Sequence, residues 1–298
     1  MILFLGRMEQ KTILGEHTMY PCKKLRNLLI LFYIPKLTIL LSKAKGNKNM
    51  AALLEAKNVT KIYAKSQHPS LNKVSFRITD GEFIAIMGAS GSGKTTLLNV
   101  LSTIDTPTNG SITINGVNLR NLTDSKAADF RRDNLGFIFQ EYLLLDSLTI
   151  FENIAVPLTL QKLPPKKIEH MIRSLAKSFG IDAQLDKYPS ELSGGQRQRA
   201  SALRAIVKHP SILFADEPTG ALDSNSATDL LNTLKESNES IHTTILMVTH
   251  DAYAASFADR ILIFKDGCII QELLKQNADR RAFYESIAQT IAKLDTER

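Results

Sequence analysis

Gly88-Ala89-Ser90-Gly91-Ser92-Gly93-Lys94-Thr95 is the stretch on which the reading of this chain turns. The apolar run Phe83-Ile84-Ala85-Ile86-Met87 precedes it, and Thr96-Leu97-Leu98-Asn99-Val100-Leu101 follows as a helix start. Strand, glycine-rich turn and helix are the context a phosphate-binding loop needs. Glycines let backbone N–H groups point inward with no Cβ in the way, and a helix N-terminus adds partial positive charge. Lys94 then reaches the β- and γ-phosphates of a nucleotide, and the Thr95 hydroxyl is placed to ligate Mg²⁺. A plain flexible loop with this spacing and these flanks would be a rare accident.

Charge and cysteine usage narrow the classes. The chain has 298 residues and a formal charge of +7, enough length for one large domain or two small ones. Residues 1–49 hold nine Lys/Arg and two Asp/Glu, hence the entire excess, while residues 50–298 hold 28 of each sign. A domain-wide basic footprint is therefore missing, and nucleic acid is excluded as the expected partner. Cys22 and Cys268 are the only cysteines, which fits a reducing cytoplasm and offers no metal-ligand cluster.

Residues 1–49 differ in kind from the rest of the chain. Leu28–Ile34 and Leu37–Leu41 are apolar, but Pro35-Lys36 divides them, and neither approaches the ~18 apolar residues a membrane span requires. Basic residues before this stretch and small ones after it give a faint signal-peptide look. ATP is absent outside the cytoplasm, so export of a nucleotide-hydrolysing domain is not expected. Met50 is followed at once by domain-like sequence. The expectation is that translation begins there and that 1–49 is a non-native or disordered extension; a basic arm on a membrane surface is the alternative.

Working outward from the loop, Leu53–Val59 and Leu71–Ile78 alternate as strands do, and Asp80-Gly81 turns the chain into Phe83. Tyr63 lies between them, either a core or cross-strand side chain or a platform for a purine ring. Downstream, Thr106–Gly110 reads as a turn, Ser111–Ile114 as a strand and Asn115-Gly116 as a hairpin signal. Leu135–Phe139 predicts a buried strand ending at Gln140, a residue that is either a solvated terminus or a contact to Mg²⁺ and the attacking water. From 141 to 190 the character changes to helical patterns at Ile150–Leu160 and Lys167–Phe179, split by Leu163-Pro164-Pro165. Leu143, Leu144, Leu145, Leu148 and Phe151 are more apolar than a solvated insert needs, which suggests either a partner-facing surface or local core.

Leu192-Ser193-Gly194-Gly195-Gln196 opens a helix running to about Lys208, with Ser193 as N-cap and accessible backbone N–H groups behind it. Ile212-Leu213-Phe214-Ala215-Asp216-Glu217 reads as a strand buried on both faces that ends in two carboxylates, at the strand end where ligands collect in parallel sheets. Neighbouring strand residues point to opposite sides, so the two should differ in role. Asp216 suits a Mg²⁺ shell. Glu217 suits a base that orients water, a role worth ~10²–10⁴ in rate. Ala221-Leu222-Asp223 leads into a helix from about Asn225 to Lys235, and Thr244–Val248 predicts another buried strand, ending at Thr249-His250-Asp251. His250 at that edge is expected to meet the γ-phosphate. A closing hairpin (260–264 and 268–270) and a C-terminal amphipathic helix (280–294) complete the pattern.

Taken together and in this order, residues 52–298 resemble the ATP-binding subunit of ABC transporters. Residues 88–95 look like Walker A, Gln140 like the Q-loop, 192–196 like the signature, 212–217 like Walker B with its catalytic glutamate, 221–223 like the D-loop and His250 like the switch histidine. Tyr63 falls where that family stacks adenine. The resemblance implies an α/β fold with a P-loop NTPase core of the RecA-like kind, an antiparallel β subdomain and a helical insert at about 141–190.

For the site, the resemblance implies ATP held by Tyr63, Gly88, Ala89, Ser90, Gly91, Ser92, Gly93, Lys94, Thr95 and Thr96. Mg²⁺ would be held by Thr95, Gln140 and Asp216, and catalysis carried by Glu217, His250 and Gln140. Ser193, Gly194, Gly195 and Gln196 would serve the ATP of the opposite subunit, with Asp223 in dimer coupling. An ATP-dependent homodimer at the cytoplasmic face of a bacterial membrane, on a separate permease, is implied by the same likeness. Finer stretches (Phe137-Ile138-Phe139-Gln140, Glu152-Asn153-Ile154 and Asp216–Asp223) are similar to the macrolide-exporter and lipoprotein-release class. Thr249-His250-Asp251, Ala254-Ala255-Ser256, Asp259-Arg260-Ile261 and Phe283-Tyr284 are similar to bacitracin-resistance transporters, which act on antimicrobial peptides. Lipoprotein release and the cell-division system are the alternatives.

Overall fold

The computed structural model describes residues 52–64 and 68–296; the expectation for residues 1–49 lies outside them. The strands that alternation and apolar runs predict form two sheets. Leu54–Lys61 (β1), Leu71–Ile78 (β2), Asn109–Ile114 (β4) and Val117–Asn118 (β5) make an antiparallel sheet in the order β2-β1-β4-β5. Phe83–Met87 (β3), Leu135–Ile138 (β6), Ile212–Asp216 (β7), Thr244–Thr249 (β8), Arg260–Lys265 (β9) and Cys268–Leu274 (β10) make a second sheet, ordered β10-β9-β3-β8-β7-β6. Within it β9, β3, β8, β7 and β6 run parallel, and only the edge strand β10 is antiparallel.

The pleat assigns each strand's residues to two cores. Phe83, Ala85 and Met87 of β3 face one, with Leu213, Ala215, Ile245, Met247, Ile261 and Ile263. Ile84 and Ile86 face the other, with Ile212, Phe214, Leu246, Val248, Leu262 and Phe264. Both sides are apolar because both are covered, as parallel sheets require. The second core also takes Leu97, Leu98, Val100 and Leu101 of helix Lys94–Leu101 (α1) and the inner residues of the antiparallel sheet. Helix α1 is thus gripped between two sheets, and the loop that starts it is fixed from both ends.

Helix α2 (Asp124–Asn134) buries only Phe130 and has no apolar stripe to announce it. The insert contains Ile150–Leu160 (α3) and Pro165–Ala176 (α4), and α3 begins with a reciprocal capping box between Thr149 and Glu152. Gly194–Ile206 (α5) comes next, then Ser224–Ile241 (α6), which extends a turn and a half past the expected end and stops at the left-handed His242. Ala252–Ala255 (α7) is a short turn after β8, and Arg280–Thr296 (α8) docks through the buried Phe283 and Ile287.

Candidate nucleotide site

Four neighbouring parallel strands, β3, β8, β7 and β6, end at one edge of the sheet. Their C-terminal ends deliver, in spatial order, the 88–95 loop, His250, Asp216 with Glu217, and Gln140. Open parallel sheets bind ligands at this edge.

The loop is packed too tightly for any residue but glycine at two points. A Cβ on Gly88 would sit 2.1 Å from the Phe264 carbonyl oxygen, and one on Gly93, where φ is +104°, would sit 2.3 Å from the Ser70 carbonyl oxygen. Lys94 is buried, and its ammonium donates to the carbonyls of Gly88 and Ala89 at 2.8 Å each. An ammonium has three protons, so one donor is left for a phosphate. Burial pushes the Lys94 pKa down, against the pull of the Glu217 and Asp216 charges. Ser92 Oγ is buried with no hydrogen-bond partner among the described residues, a polar atom that a phosphate oxygen would satisfy. Thr95 is exposed at the start of α1, with Thr96 beside it.

Burial raises the Asp216 carboxyl above the usual range, with a further push from Glu217 and a partial offset from Lys94. Glu217 departs from the strand expectation. The chain has left β7, and Glu217 is left-handed at φ +46°, so the alternation argument for opposite-facing carboxylates does not apply to it. Its N–H still donates to the Val248 carbonyl at 2.9 Å and its carbonyl accepts from Gly220 at 3.1 Å. That conformation costs about 1–2 kcal/mol in a residue with a Cβ. The result is contact with His250: Nδ1 lies 2.7 Å from Glu217 Oε2. Gln140 lies against the same turn, its Nε2 3.1 Å from where a Cβ on Gly220 would stand.

Tyr63 lies beyond the end of β1 and is not a core residue. Its hydroxyl donates to Asp105 Oδ2 at 3.0 Å, the Lys61 ammonium sits 4.9 Å from its ring centroid, and the residue as a whole is 39% exposed. Ser193–Gln196 stand apart from the loop. Ser193 caps α5 by accepting from Gln196 N–H at 3.3 Å, while Gln196 Oε1 accepts from Ser193 N–H at 3.0 Å. Positions for a Cβ on Gly194 and Gly195 abut Tyr142 Oη at 3.0 Å and Ser226 Oγ at 2.7 Å. Asp223 caps α6, accepting from the N–H groups of Asn225 and Ser226 and from Ser226 Oγ at 2.7 Å. These bonds hold its carboxyl below the usual range. Among the described residues no hydrogen bond or ion pair joins Ser193–Gln196 to residues 88–96.

The profile described as ABC transporter matches residues 71–220. The bacitracin export ATP-binding protein BceA of Halalkalibacterium halodurans is 52% identical over 80% of this chain and 95% of its own length. The chain belongs to the ABC transporter family. This ABC ATPase is also similar to a macrolide export ATP-binding/permease protein, MacB of Vibrio parahaemolyticus, at 42% identity over 74% of the chain and 34% of that longer protein. A dimeric structure of the ATP-binding cassette MJ0796 in a post-hydrolysis state, bound to ADP and Pi, superposes with a TM-score of 0.69. It is 36% identical, over 75% of this chain and 99% of that one. The fold expectation of a P-loop core with an antiparallel β subdomain is met. ATP hydrolysis powering transport is the activity of this ABC ATPase.

Sequence reasoning missed residues that hold the site together. Gln198 is buried and donates to the carbonyls of Phe139 at 3.1 Å and Pro218 at 2.7 Å, joining the segment before Gln140 to the turn after Glu217. A glutamine two residues after Gln196 carries no signal in the sequence that separates it from a solvated helix position.

Proposed function

We propose that this chain powers a bacterial exporter of antimicrobial peptides, working as an ATP-dependent homodimer on the cytoplasmic side of a separate permease. The observation that carries the dimer is a separation within one copy: Ser193–Gly195 present a capped helix N-terminus, but among the described residues no hydrogen bond or ion pair ties it to residues 88–96. Head-to-tail pairing would bring the Ser193 end of one copy onto the phosphate loop of the other, with Asp223 beside the seam. Closure excludes water, and charge contacts in the site strengthen as it does.

Within each half-site, Gly88–Thr96 would cradle the triphosphate and Tyr63 stack the adenine. Thr95, Asp216 and Gln140 are hard oxygen donors of the kind Mg²⁺ takes, and the raised Asp216 carboxyl is one that a divalent cation would hold ionised. When bound, the ion would neutralise phosphate charge. Glu217, held by His250, would orient the attacking water, and Gln140 would sense the γ-phosphate.

The partner surface is the loop before α3, where Leu143 and Leu145 are half exposed. Asn153, fully buried, holds this loop in place. It accepts from Leu145 N–H at 2.7 Å and donates to the carbonyls of Leu145, Leu148 and Thr149. Among the described residues no helix is long and apolar enough to cross a membrane, so a permease would have to supply the path. In the MacB relative the two functions are joined in one name, and the chain aligns to a third of it. Bacitracin is the first substrate to test, because the name of the BceA relative carries it. The experiment is reconstitution with the permease in liposomes, reading ATPase rate against added bacitracin. A severalfold rise is expected; an unchanged rate with a permease that does bind the chain would overturn the substrate class.

A further inference from the structure

Helix α5 does more than present Ser193. On one face it carries Arg197, Gln198, Ser201 and Arg204, and all four reach the short segment Phe139–Leu143. Gln198 holds the Phe139 carbonyl at 3.1 Å. The Arg197 guanidinium lies 5.2 Å from the Tyr142 ring centroid. Ser201 Oγ donates to the Tyr142 carbonyl at 2.8 Å, and Arg204 Nη2 donates to the same oxygen at 2.9 Å. Arg204 Nη1 donates to the Leu143 carbonyl at 2.6 Å.

Tyr142 and Leu143 are consecutive left-handed residues, at φ +53° and +48°, and neither is glycine. Such a pair persists only where its surroundings hold it. Arg204 is a cation whose pKa burial pushes down, and the hydrogen bonds it makes go to carbonyls and the Ser201 hydroxyl, with no carboxylate among them. Arg204 is half-buried, and a charge drawn partly out of water without a carboxylate partner is costly unless its donors are used well. Here the planar fork spans two successive carbonyls and holds the left-handed step, while Gln198 holds the other end. Gln140 sits between the two clamps.

We propose that Arg204 is the positioning residue that locks the Gln140 loop and the Leu143–Leu145 surface to helix α5, so that they move with Ser193–Gly195 as one body. This rests on the proposed place of Gln140 in the nucleotide site. A shift of the helix toward a partner copy's ATP then carries Gln140 and the permease-facing leucines with it. Arginine suits the task because a lysine ammonium is a point charge that lacks the fork.

The test uses the full chain reconstituted with its permease. The chain contains no tryptophan, so Leu145→Trp adds a single emitter to the loop. In an otherwise unchanged chain, ATP is expected to shift the Trp emission. With Arg204→Lys added, the shift should fall to a third or less. The same lysine variant, without the probe, should keep its KM for ATP within twofold and its unfolding temperature near that of the parent, while permease-coupled kcat falls about tenfold. Ser201→Ala, which leaves one donor on the Tyr142 carbonyl, should fall between.

An unchanged emission shift and kcat in Arg204→Lys would overturn the proposal. So would losses in KM, kcat and unfolding temperature together, which mark a merely structural arginine. Gln140→Ala separates the two levels. If it leaves turnover intact, the proposed role of Gln140 fails, and the emission arm alone decides whether the loop follows the helix. If it lowers turnover while Arg204→Lys does nothing, only the positioning role falls.

Discussion

His250 Nδ1 lies 2.7 Å from Glu217 Oε2, across the gap between the ends of β8 and β7. The two side chains come from loops that extend from neighbouring strands, and the contact exists because Glu217 turns left-handed one residue after the strand stops. A strand-bound Glu217 would continue the alternation of β7. The imidazole gives the carboxylate one fixed partner in a site where Asp216 and Lys94 also place charge nearby.

Lys94→Ala should abolish nucleotide binding. The ammonium is buried and positioned by two carbonyls, so its replacement removes the charge and leaves those carbonyls without their donor. Titration with a fluorescent ATP analogue is expected to show at least a hundredfold weaker affinity, about 3 kcal/mol. Retained affinity would remove the loop as the phosphate cradle.

Gly88→Ala should destabilise the fold as well as the site, because its Cβ would meet the Phe264 backbone oxygen at 2.1 Å and backbone cannot swing aside. Overpacking of this kind costs about 2 kcal/mol or more, or about 4–8 °C in a chain of this size. Gly91→Ala is the control. At φ +78° it carries conformational strain, but nothing lies within 4 Å of its Cβ, so a loss of about 1 kcal/mol is expected. Thermal unfolding of the pair compares them directly; equal losses would contradict the packing argument.

Lys208 gives a pH-dependent contribution to stability. Its ammonium donates to the carbonyls of Arg131 at 3.2 Å and Arg132 at 2.6 Å. Burial pushes its pKa down to about 8, with Asp133 opposing the shift and Arg132 adding to it. Below that value both folded and unfolded chains hold the proton, and the burial penalty is fully present. Between about 8 and 10.4, the usual lysine value, the unfolded chain binds the extra proton, so this group's contribution to stability rises with pH. Urea unfolding of wild type and Lys208→Met at pH 7.5 and 10 should show the wild type gaining on the order of 1–3 kcal/mol relative to the variant. Parallel pH dependence in the two proteins would contradict this.

Much of the architecture could be read from the residues because burial writes itself into period and run length. The β3 run Phe83–Met87 and the insert helix Ile150–Leu160 fall where the apolar pattern ends. Helix α2 escaped because its single buried residue, Phe130, leaves no stripe to detect. The residues of the candidate site were legible by spacing, but their contacts were not. Nothing in Ala215-Asp216-Glu217 announces a left-handed glutamate. Arg204 reads as an ordinary helix arginine until the fold brings the carbonyls of Tyr142 and Leu143 beneath it. Such contacts depend on non-local geometry that no short-range pattern carries.

In the proposed mechanism Glu217, held by His250, is the base of a site completed by a second copy. The most direct measurement is ATP turnover of Glu217→Gln, taken together with its oligomeric state by size exclusion with and without ATP. The amide keeps the shape but cannot take up the proton, so turnover is expected at about 1% of wild type or less, with a dimer that persists in ATP. Turnover within about threefold of wild type, or a variant that stays monomeric with ATP bound, would contradict it.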